Sequence, residues 1–275
     1  MKPIPVAFHI GPLQLHTYGL GLAITFFFAY RMLSRRLTAH GWDAEWLGPV
    51  TVWVVVAALV GARVVHVVAN WSSQYEHHLA LIPQVWQGGL SSFGGLLFGL
   101  PTGFYLARRR GPSITRARMA DLVAPVLLAS WTLGRLLGPQ LMIRGGGHRT
   151  NAWYGMYYAG EVGKRLPVPL FQSAMTFGML LVAWRVERYV ERRGGPRGLV
   201  ASVAVTIWGM GRFIEEHFWL ARPGHAGDMA VQVVGVVLAG VGTAVSVFLL
   251  VRARRAAGGL GTAEAVAEGT GALSS

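Results

Sequence analysis

The sequence predicts an all-α, polytopic membrane protein built as a bundle of seven transmembrane helices. Of its 275 residues, 53% are hydrophobic and only 13% are charged, and the mean hydropathy is +0.43. Such a chain has too little polar surface for an ordinary soluble protein of this size. Seven apolar segments, and an uneven distribution of Arg and Lys among the loops between them, indicate the same class.

Each apolar segment approaches the roughly 20 residues that a helix needs to cross the hydrocarbon core of a bilayer. In chain order, the segments cover residues 17–33, 46–69, 90–107, 119–143, 169–186, 199–219 and 229–251. We therefore predict a membrane domain over residues 1–255, which includes a long outer loop at residues 144–168. Residues 256–275 are rich in Ala, Gly and Glu, and we predict a disordered cytoplasmic tail.

The basic residues predict the orientation of the chain. Counted by loop, one side of the membrane carries 16 Arg and Lys residues and the other side carries 6. The first side is cytoplasmic by the positive-inside rule, so the N-terminus lies outside and the C-terminus lies in the cytoplasm. The formal net charge of +13 then reflects topology, and no nucleic-acid partner is predicted.

The chain contains no cysteine. Disulfides, thiolate metal sites and a cysteine nucleophile of its own are therefore excluded. The histidines lack the spacing with acids or with each other that metal ligands show. The sequence predicts no metal and no cofactor.

Three arginines, Arg63, Arg135 and Arg212, lie inside apolar segments. A charge near the bilayer centre costs at least about 2.5–3.5 kcal/mol, so such residues usually face a polar interior and mark a site. Glu216 follows Arg212 by one helical turn, with Glu215 beside it. Under a purely structural alternative, Arg212 and Glu216 pair to stabilise the bundle. Three cations with one or two acids would leave a net positive interior, which favours an anionic ligand.

The abundant anionic ligand inside a membrane is a phospholipid headgroup, and the planar guanidinium group of arginine suits phosphate oxygens. We expect a lateral cavity that holds a phospholipid by its phosphate. Tyr18, at the outer end of the first segment, could donate a hydrogen bond to that ligand. The alternative for Tyr18 is an ordinary interfacial aromatic residue.

Two glycine pairs, Gly88-Gly89 and Gly94-Gly95, stand at the entrance of the third apolar segment. Non-helical backbone is tolerated at membrane depth only where protein buries it or where it lines a cavity. The stretch over residues 85–100 is therefore predicted to line the site.

Five segments carry a resemblance to bacterial prolipoprotein diacylglyceryl transferases, in the order and spacing of that family. They are GPLQLHTYGLGLA at residues 11–23, GARVVHVV at 61–68, VWQGGLSSFGGLLFG at 85–99, RMADLVAPVLLASWTLGRLLG at 118–138 and GMGRFIEEHF at 209–218. The resemblance spans about residues 8–251, and it marks the chain as a divergent member.

The resemblance implies a seven-helix enzyme of the bacterial inner membrane. Such an enzyme moves the diacylglyceryl group of phosphatidylglycerol onto the lipobox cysteine of a prolipoprotein signal peptide, in contact with membrane lipids. The product is a thioether, and glycerol 1-phosphate leaves. The outer loop would form a small periplasmic head that receives the signal peptide, although a plain connecting loop with solvated basic residues is an equal alternative.

The resemblance also implies roles for residues at matching positions. Those expected in catalysis are Tyr18, Arg135, Arg212 and Glu216. Those expected to bind the lipid phosphate are Arg63, Arg135, Arg212, Gly94 and Gly95.

Three family motifs are altered in this chain. Phe93 stands where the family has a histidine before the second glycine pair, Pro139 replaces an asparagine, and Gln172 replaces an acid. The motif residues expected to transfer protons and to orient polar groups are replaced, while those expected to bind the phosphate are kept. His66, three residues after Arg63, is a candidate base for the thiol, with a histidine hydrogen-bonded inside the bundle as the alternative. The altered motifs also allow a second function: a non-catalytic or altered-acceptor paralogue that binds anionic phospholipid.

Overall fold

The computed structural model describes residues 7–10, 13–85, 89–137, 146–158, 161–220 and 226–271, and the side chains of residues 19–85, 89–91, 93–137, 146–158, 161–220 and 227–256. The α-helices in these ranges are α1 (Thr17–Ala39), α2 (Leu47–Ala69), α3 (Ser92–Arg110), α4 (Arg116–Leu137), α5 (Val168–Arg193), α6 (Leu199–Glu215) and α7 (Ala226–Gly271). Strands β1 (Ala7–Ile10) and β2 (Leu13–His16) form one antiparallel pair, and β3 (Met156–Tyr157) and β4 (Lys164–Arg165) form another. The predicted helical class is confirmed.

Within the part of the chain that the structure describes, three stretches of helix are long and apolar enough to cross a membrane, judged by length and composition. They are Leu47–Ala69, Arg116–Leu137 and Gly227–Ala256. The bundle of seven crossings therefore stays a prediction. The α7 backbone continues past the seventh predicted segment to Gly271, and the division into a membrane domain and a tail also stays a prediction.

The chain forms two compact units, which are described separately. One unit contains residues 30–116, with α2 and α3, and the other contains residues 1–29 and 117–275, with α4 to α7. Two π-helical turns end helices in these units: Trp71–Tyr75 follows α2, and Glu216–Leu220 follows α6.

Helices α2 and α3 touch backbone to backbone at Gly61 and Gly94. A Cβ atom at Gly94 would lie 2.2 Å from the carbonyl oxygen of Gly61, and a Cβ at Gly61 would lie 2.5 Å from the carbonyl oxygen of Gly94. No side chain fits in that space, so both positions require glycine. The second glycine pair of the sequence is thus helical and packs against α2; it does not form an irregular entry to α3.

Helices α6 and α7 are joined by a second seam of small residues. Gly209 faces the backbone of Gly235, since a Cβ at Gly209 would lie 2.6 Å from the Gly235 carbonyl oxygen. About two turns away on α6, the hydroxyl groups of Ser246 and Ser202 are hydrogen-bonded at 2.8 Å. This close approach fixes α6, which carries Arg212, Glu215 and the start of the following π turn.

Asp121 on α4 caps the N-terminus of α6. Its carboxylate is 1% exposed and accepts hydrogen bonds from the backbone N–H groups of Gly198, at 2.6 Å, and Ala201, at 2.9 Å. The first N–H groups of a helix have no partner within the helix, and a carboxylate beside them is favoured by the helix dipole. The cap therefore ties α4 to α6 near the end of the helix opposite Arg212.

Replacing Asp121 by alanine should destabilise the protein by about 2–3 kcal/mol, because two buried N–H groups would lose a charged acceptor. The measurement is denaturant unfolding of the purified protein in detergent. Asp43→Ala is a matched control, because the Asp43 carboxylate accepts a similar bond from the Glu45 N–H but is exposed. We expect that control to stay within about 0.5 kcal/mol of the unaltered protein. Equal stability of the two variants would contradict the capping role.

Candidate functional site

A buried polar cluster lies where the ends of α4 and α6 meet the start of α5. It consists of Arg135 in the last turn of α4, Gln172 near the start of α5, Arg212 and Glu215 at the end of α6, and Glu216 in the π turn. Four of these side chains belong to residues that are less than one-tenth exposed: Gln172 at 3%, Arg212 at 8%, Glu215 at 2% and Glu216 at 6%. Polar residues at such burial need partners, and the cluster supplies them.

Arg212 is the centre of this cluster. Its Nη1 group is paired with the Oε2 atom of Glu215, and its Nη2 group lies 3.2 Å from the Oε2 atom of Glu216. The Glu215 Oε2 atom also accepts a hydrogen bond from the Nε2 group of Gln172 at 2.9 Å. The pairing of Arg212 with Glu216 is the one that the structural alternative describes, and Glu215, which the sequence places beside Glu216, is a second partner. Its spacing of three residues from Arg212 is the signal that could have identified it.

Arg135 belongs to the same electrostatic environment. Its guanidinium carbon lies 4.7 Å from the ring centroid of Trp131, a cation–π geometry. Its charge is attracted by Glu215 and repelled by Arg212. The ring of Trp131 in turn meets the edge of Trp208 on α6. The structure therefore brings together Arg135, Arg212 and Glu216, three of the predicted catalytic residues.

Carboxylates balance the arginines of this cluster. Among the described residues, the two arginines are matched by Glu215 and Glu216, and Asp228 at the start of α7 also acts on Glu216. This cluster therefore has at least as many carboxylates as cations. The expected net positive interior also counted Arg63, which belongs to the other unit, and it stays a prediction.

Arg63 holds the loop that follows α2. Its guanidinium donates hydrogen bonds to the backbone carbonyl oxygens of Leu81, Ile82 at 2.8 Å, Gln84 at 3.3 Å and Gly89 at 3.0 Å. Its guanidinium carbon also lies 5.5 Å from the ring centroid of Tyr75. A guanidinium carries five N–H donors, and several are used on this loop. The predicted phosphate contact of Arg63 stays a prediction.

His66, one turn after Arg63, faces the same loop. Its ring meets the edge of Tyr75, and its Nδ1 atom lies 3.4 Å from the side-chain nitrogen of Asn70. A Cβ at Gly89 would lie 2.6 Å from His66 Nε2 and 2.8 Å from Arg63 Nη1, and Gly89 has φ +75°. Glycine is needed there for both the space and the left-handed backbone. The alternative reading of His66, a histidine bonded within the bundle, describes these contacts.

Replacing Arg63 by alanine should loosen the loop over residues 79–85, because carbonyl oxygens of that loop would lose their donors. We expect at least about tenfold faster amide hydrogen exchange in this segment, since each charged hydrogen bond contributes about 1.5–3 kcal/mol. Exchange in α6 serves as the internal control and should not change. Unchanged exchange at residues 79–85 would contradict the loop-holding role.

Phe93, Gly94 and Gly95 lie in the first turn of α3. Gly94 packs on Gly61, as described above, and a Cβ at Gly95 would be 3.6 Å from the Ala58 carbonyl oxygen. The Phe93 side chain is 36% exposed. The glycines have a packing function, and their predicted contact with a lipid phosphate stays a prediction.

The loop between α4 and α5 contains a small β-ribbon. Strands β3 and β4 pair, and Arg149 adds a bridge to Arg165. The Nε atom of Arg165 lies 2.5 Å from the Oε2 atom of Glu161. The Nη1 group of Arg165 donates a hydrogen bond to the carbonyl oxygen of Gly147 at 3.2 Å. The ribbon is attached to the π turn after α6, because the His148 N–H donates to the Trp219 carbonyl oxygen at 3.1 Å.

Tyr158, which directly follows β3, is 3% exposed, and its hydroxyl has no hydrogen-bond partner among the described residues. Burial, together with the nearby Glu161 charge, raises the pKa of Tyr158 to about 12. By contrast Trp153 is 90% exposed. The ribbon thus has one buried aromatic residue and one fully presented to its surroundings.

Stability of the protein should fall between pH 10 and pH 12 because of Tyr158. The unfolded phenol loses its proton near pH 10, whereas the folded one keeps it to about pH 12. The unfolded state therefore binds fewer protons in this window, and stability falls as pH rises, by at most about 2 kcal/mol. Tyr158→Phe should remove that part of the pH dependence, while the exposed Tyr157→Phe should not. Denaturant unfolding between pH 8 and pH 11 measures the difference; identical slopes for both variants would contradict the assignment.

Two predicted site positions lie outside the described residues. The backbone of Tyr18 belongs to α1, but its side chain is not among those described, and Pro139 lies outside the described ranges altogether. The other altered motif positions are Phe93 and Gln172. Gln172 belongs to the polar cluster because it is hydrogen-bonded to Glu215.

Comparison with known proteins points to a single family. The profile of the family "Prolipoprotein diacylglyceryl transferase" matches residues 5–252. A protein of Azotobacter vinelandii named phosphatidylglycerol–prolipoprotein diacylglyceryl transferase is 30% identical over 220 residues, which cover 77% of this chain and 79% of the relative. Relatives with the same name from Pseudomonas aeruginosa (strain LESB58), 28% identical over 77% of this chain and 79% of the relative, and Oleidesulfovibrio alaskensis, 29% identical over 78% and 79%, agree.

Proposed function

Because the chain belongs to the prolipoprotein diacylglyceryl transferase family, we propose that it transfers the diacylglyceryl group of phosphatidylglycerol to the lipobox cysteine of prolipoproteins. The chain is a membrane transferase of this family. What we propose for this chain is the donor lipid, the acceptor cysteine and the chemistry at the site. We place the protein in the bacterial inner membrane, with seven crossings, an outer N-terminus and the β-ribbon on the periplasmic side.

The proposed step forms one bond and breaks one. The thiolate sulfur of the acceptor cysteine attacks the glyceryl carbon that carries the phosphate ester, the carbon–oxygen bond breaks, and a thioether forms. Glycerol 1-phosphate leaves with the bonding electron pair. Negative charge therefore grows on the phosphate as the bond breaks, and fixed cations in a dry site stabilise that charge.

The observation that carries this proposal is the buried Arg212, held by two glutamates in the same cluster as Arg135. A guanidinium fixed in place loses little entropy when it binds phosphate oxygens, and its charge needs no reorganisation during the reaction. We propose Arg135 and Arg212 as the residues that bind and stabilise the phosphate, with Glu216 orienting Arg212 and Tyr18 donating a hydrogen bond to the donor lipid. For Arg63, Gly94 and Gly95 the contacts favour structural functions.

The test is a transfer assay with purified protein. The protein is incubated with phosphatidylglycerol and a lipobox peptide, and mass spectrometry detects the diacylglyceryl group on the cysteine. We expect product with the unaltered chain and a background level with Arg135→Ala. Product no higher than this control would overturn the proposal.

A second function is favoured by the altered motif positions Phe93, Pro139 and Gln172. A phenyl ring cannot accept the thiol proton, so the chain would be a paralogue that binds anionic phospholipid without transfer or with another acceptor. This function predicts phosphatidylglycerol that co-purifies with the protein, is lost in Arg212→Ala and is not turned over. Phe93→His separates the two, because increased transfer would show an intact site that lacks only a base.

A further inference from the structure

Glu215 connects the two arginines of the site. Its carboxylate is 2% exposed, is paired with Arg212, attracts Arg135 and accepts a hydrogen bond from Gln172 at 2.9 Å. We propose that Glu215 is a specificity-determining residue that makes the site accept a singly charged phosphodiester headgroup and reject a doubly charged phosphomonoester. This inference rests on the proposed function in one respect, namely that the arginines bind a lipid phosphate.

The charges of the described cluster support this proposal. Arg212 is paired with Glu215 and Glu216, Glu215 also attracts Arg135, and Asp228 acts on Glu216. A phosphodiester such as that of phosphatidylglycerol carries one negative charge, whereas a phosphomonoester such as phosphatidic acid carries nearly two above pH 7. Each carboxylate beside the phosphate therefore repels the phosphomonoester about twice as strongly as it repels the phosphodiester.

Glu215 is better placed for this effect than Glu216. Glu215 interacts with both arginines, and the Gln172 amide holds its Oε2 atom toward Arg212. Glu216 is paired with Arg212 at 3.2 Å, and a neighbouring carboxylate, that of Asp228, also acts on it. Any phosphate bound by both guanidinium groups must therefore approach the charge of Glu215.

The same repulsion has a consequence for turnover. The leaving group of the proposed reaction is itself a phosphomonoester, so it gains negative charge as the carbon–oxygen bond breaks. A carboxylate beside the arginines disfavours that product once it has left the glyceryl carbon. Glu215 would therefore promote product release as well as exclude phosphatidic acid.

The experiment compares the retention of two lipids. Purified protein is exchanged at pH 8.5 into nanodiscs containing equal amounts of phosphatidylglycerol and phosphatidic acid, and the lipids bound per protein are measured by native mass spectrometry. In Glu215→Gln we expect the ratio of bound phosphatidic acid to bound phosphatidylglycerol to rise about tenfold. A general loss of binding would lower both lipids and leave the ratio unchanged, so the ratio reports the charge effect.

Two further variants serve as controls. In the double variant Gln172→Glu/Glu215→Gln, the carboxylate and the amide exchange places across the 2.9 Å hydrogen bond, and we expect the ratio to return to within about threefold of the unaltered value. Glu187→Gln removes a buried carboxylate of α5 that lies about 22 Å along the helix from Gln172. This change should leave the ratio of the two bound lipids unchanged.

The outcomes separate this inference from the proposed function. A ratio that is the same in Glu215→Gln and the unaltered protein overturns the inference, even if the protein catalyses transfer. The absence of specific retention of either lipid overturns it as well. A tenfold shift without any transfer to a lipobox peptide supports the inference and contradicts the transferase proposal.

Discussion

Arg212→Ala should reduce diacylglyceryl transfer by at least about 10²–10³-fold, because the reaction would lose a fixed donor to the growing phosphate charge. The same change should lower the stability of the protein. It leaves the buried carboxylates of Glu215 and Glu216 without their cation, a loss of about 3–5 kcal/mol for a broken buried pair. The measurements are the lipobox-peptide assay and thermal unfolding in detergent.

Two variants separate the loss of chemistry from the loss of stability. Arg212→Lys keeps the charge but loses the planar fork, so we expect stable protein with at least about tenfold slower transfer. The triple variant Arg212→Gln/Glu215→Gln/Glu216→Gln removes all three charges together, so it should unfold at a higher temperature than Arg212→Ala yet remain inactive. A folded Arg212→Ala protein with a normal transfer rate would rule out the role of Arg212 at the phosphate.

Gly94→Ala should destabilise the unit that contains α2 and α3 by about 3 kcal/mol or more, at the upper end of the range for an overpacked position. The added methyl group would lie 2.2 Å from the carbonyl oxygen of Gly61, which is backbone and cannot rotate away. The two helices would have to separate along their seam. Thermal unfolding, and the yield of monodisperse protein after purification, measure the effect.

Gly95→Ala is the matched control for this prediction. The methyl group added there would lie 3.6 Å from the Ala58 carbonyl oxygen, an ordinary van der Waals distance. We expect normal stability and normal transfer. A stable Gly95→Ala protein that no longer transfers would instead favour the predicted contact of this glycine pair with the lipid phosphate.

The class of the protein and most helix positions could be predicted from the sequence, because apolar length alone selects the segments that can leave water. Each of the seven predicted segments overlaps one of the helices α1 to α7, in chain order. The pairing of Arg212 with Glu216 was also predictable, because residues one turn apart share a face whatever the surrounding fold. The five family motifs carried the expected activity, and the family is confirmed.

The contacts between distant residues were not predictable. Nothing in the spacing of residues 121 and 198 indicates that the Asp121 carboxylate caps α6. Gln172 was read as the loss of an acid, yet it is hydrogen-bonded to Glu215, 43 positions later. The expected positive interior counted three arginines against the acids near Arg212 in sequence, and it could not include Asp228, which acts on Glu216 from the start of α7.

Arginine within an apolar segment implies a buried charge, and the sequence therefore determined that Arg63, Arg135 and Arg212 must find partners or a ligand. Only the tertiary structure decided which partners Arg63 and Arg212 found. Arg63 donates to backbone carbonyl oxygens of its own loop, whereas Arg212 pairs with two glutamates beside Arg135. The physical reason lies in what each property depends on. The cost of removing a charge from water depends on the residue and its own apolar segment. The partners of that buried charge depend on the groups that folding brings to it from elsewhere in the chain.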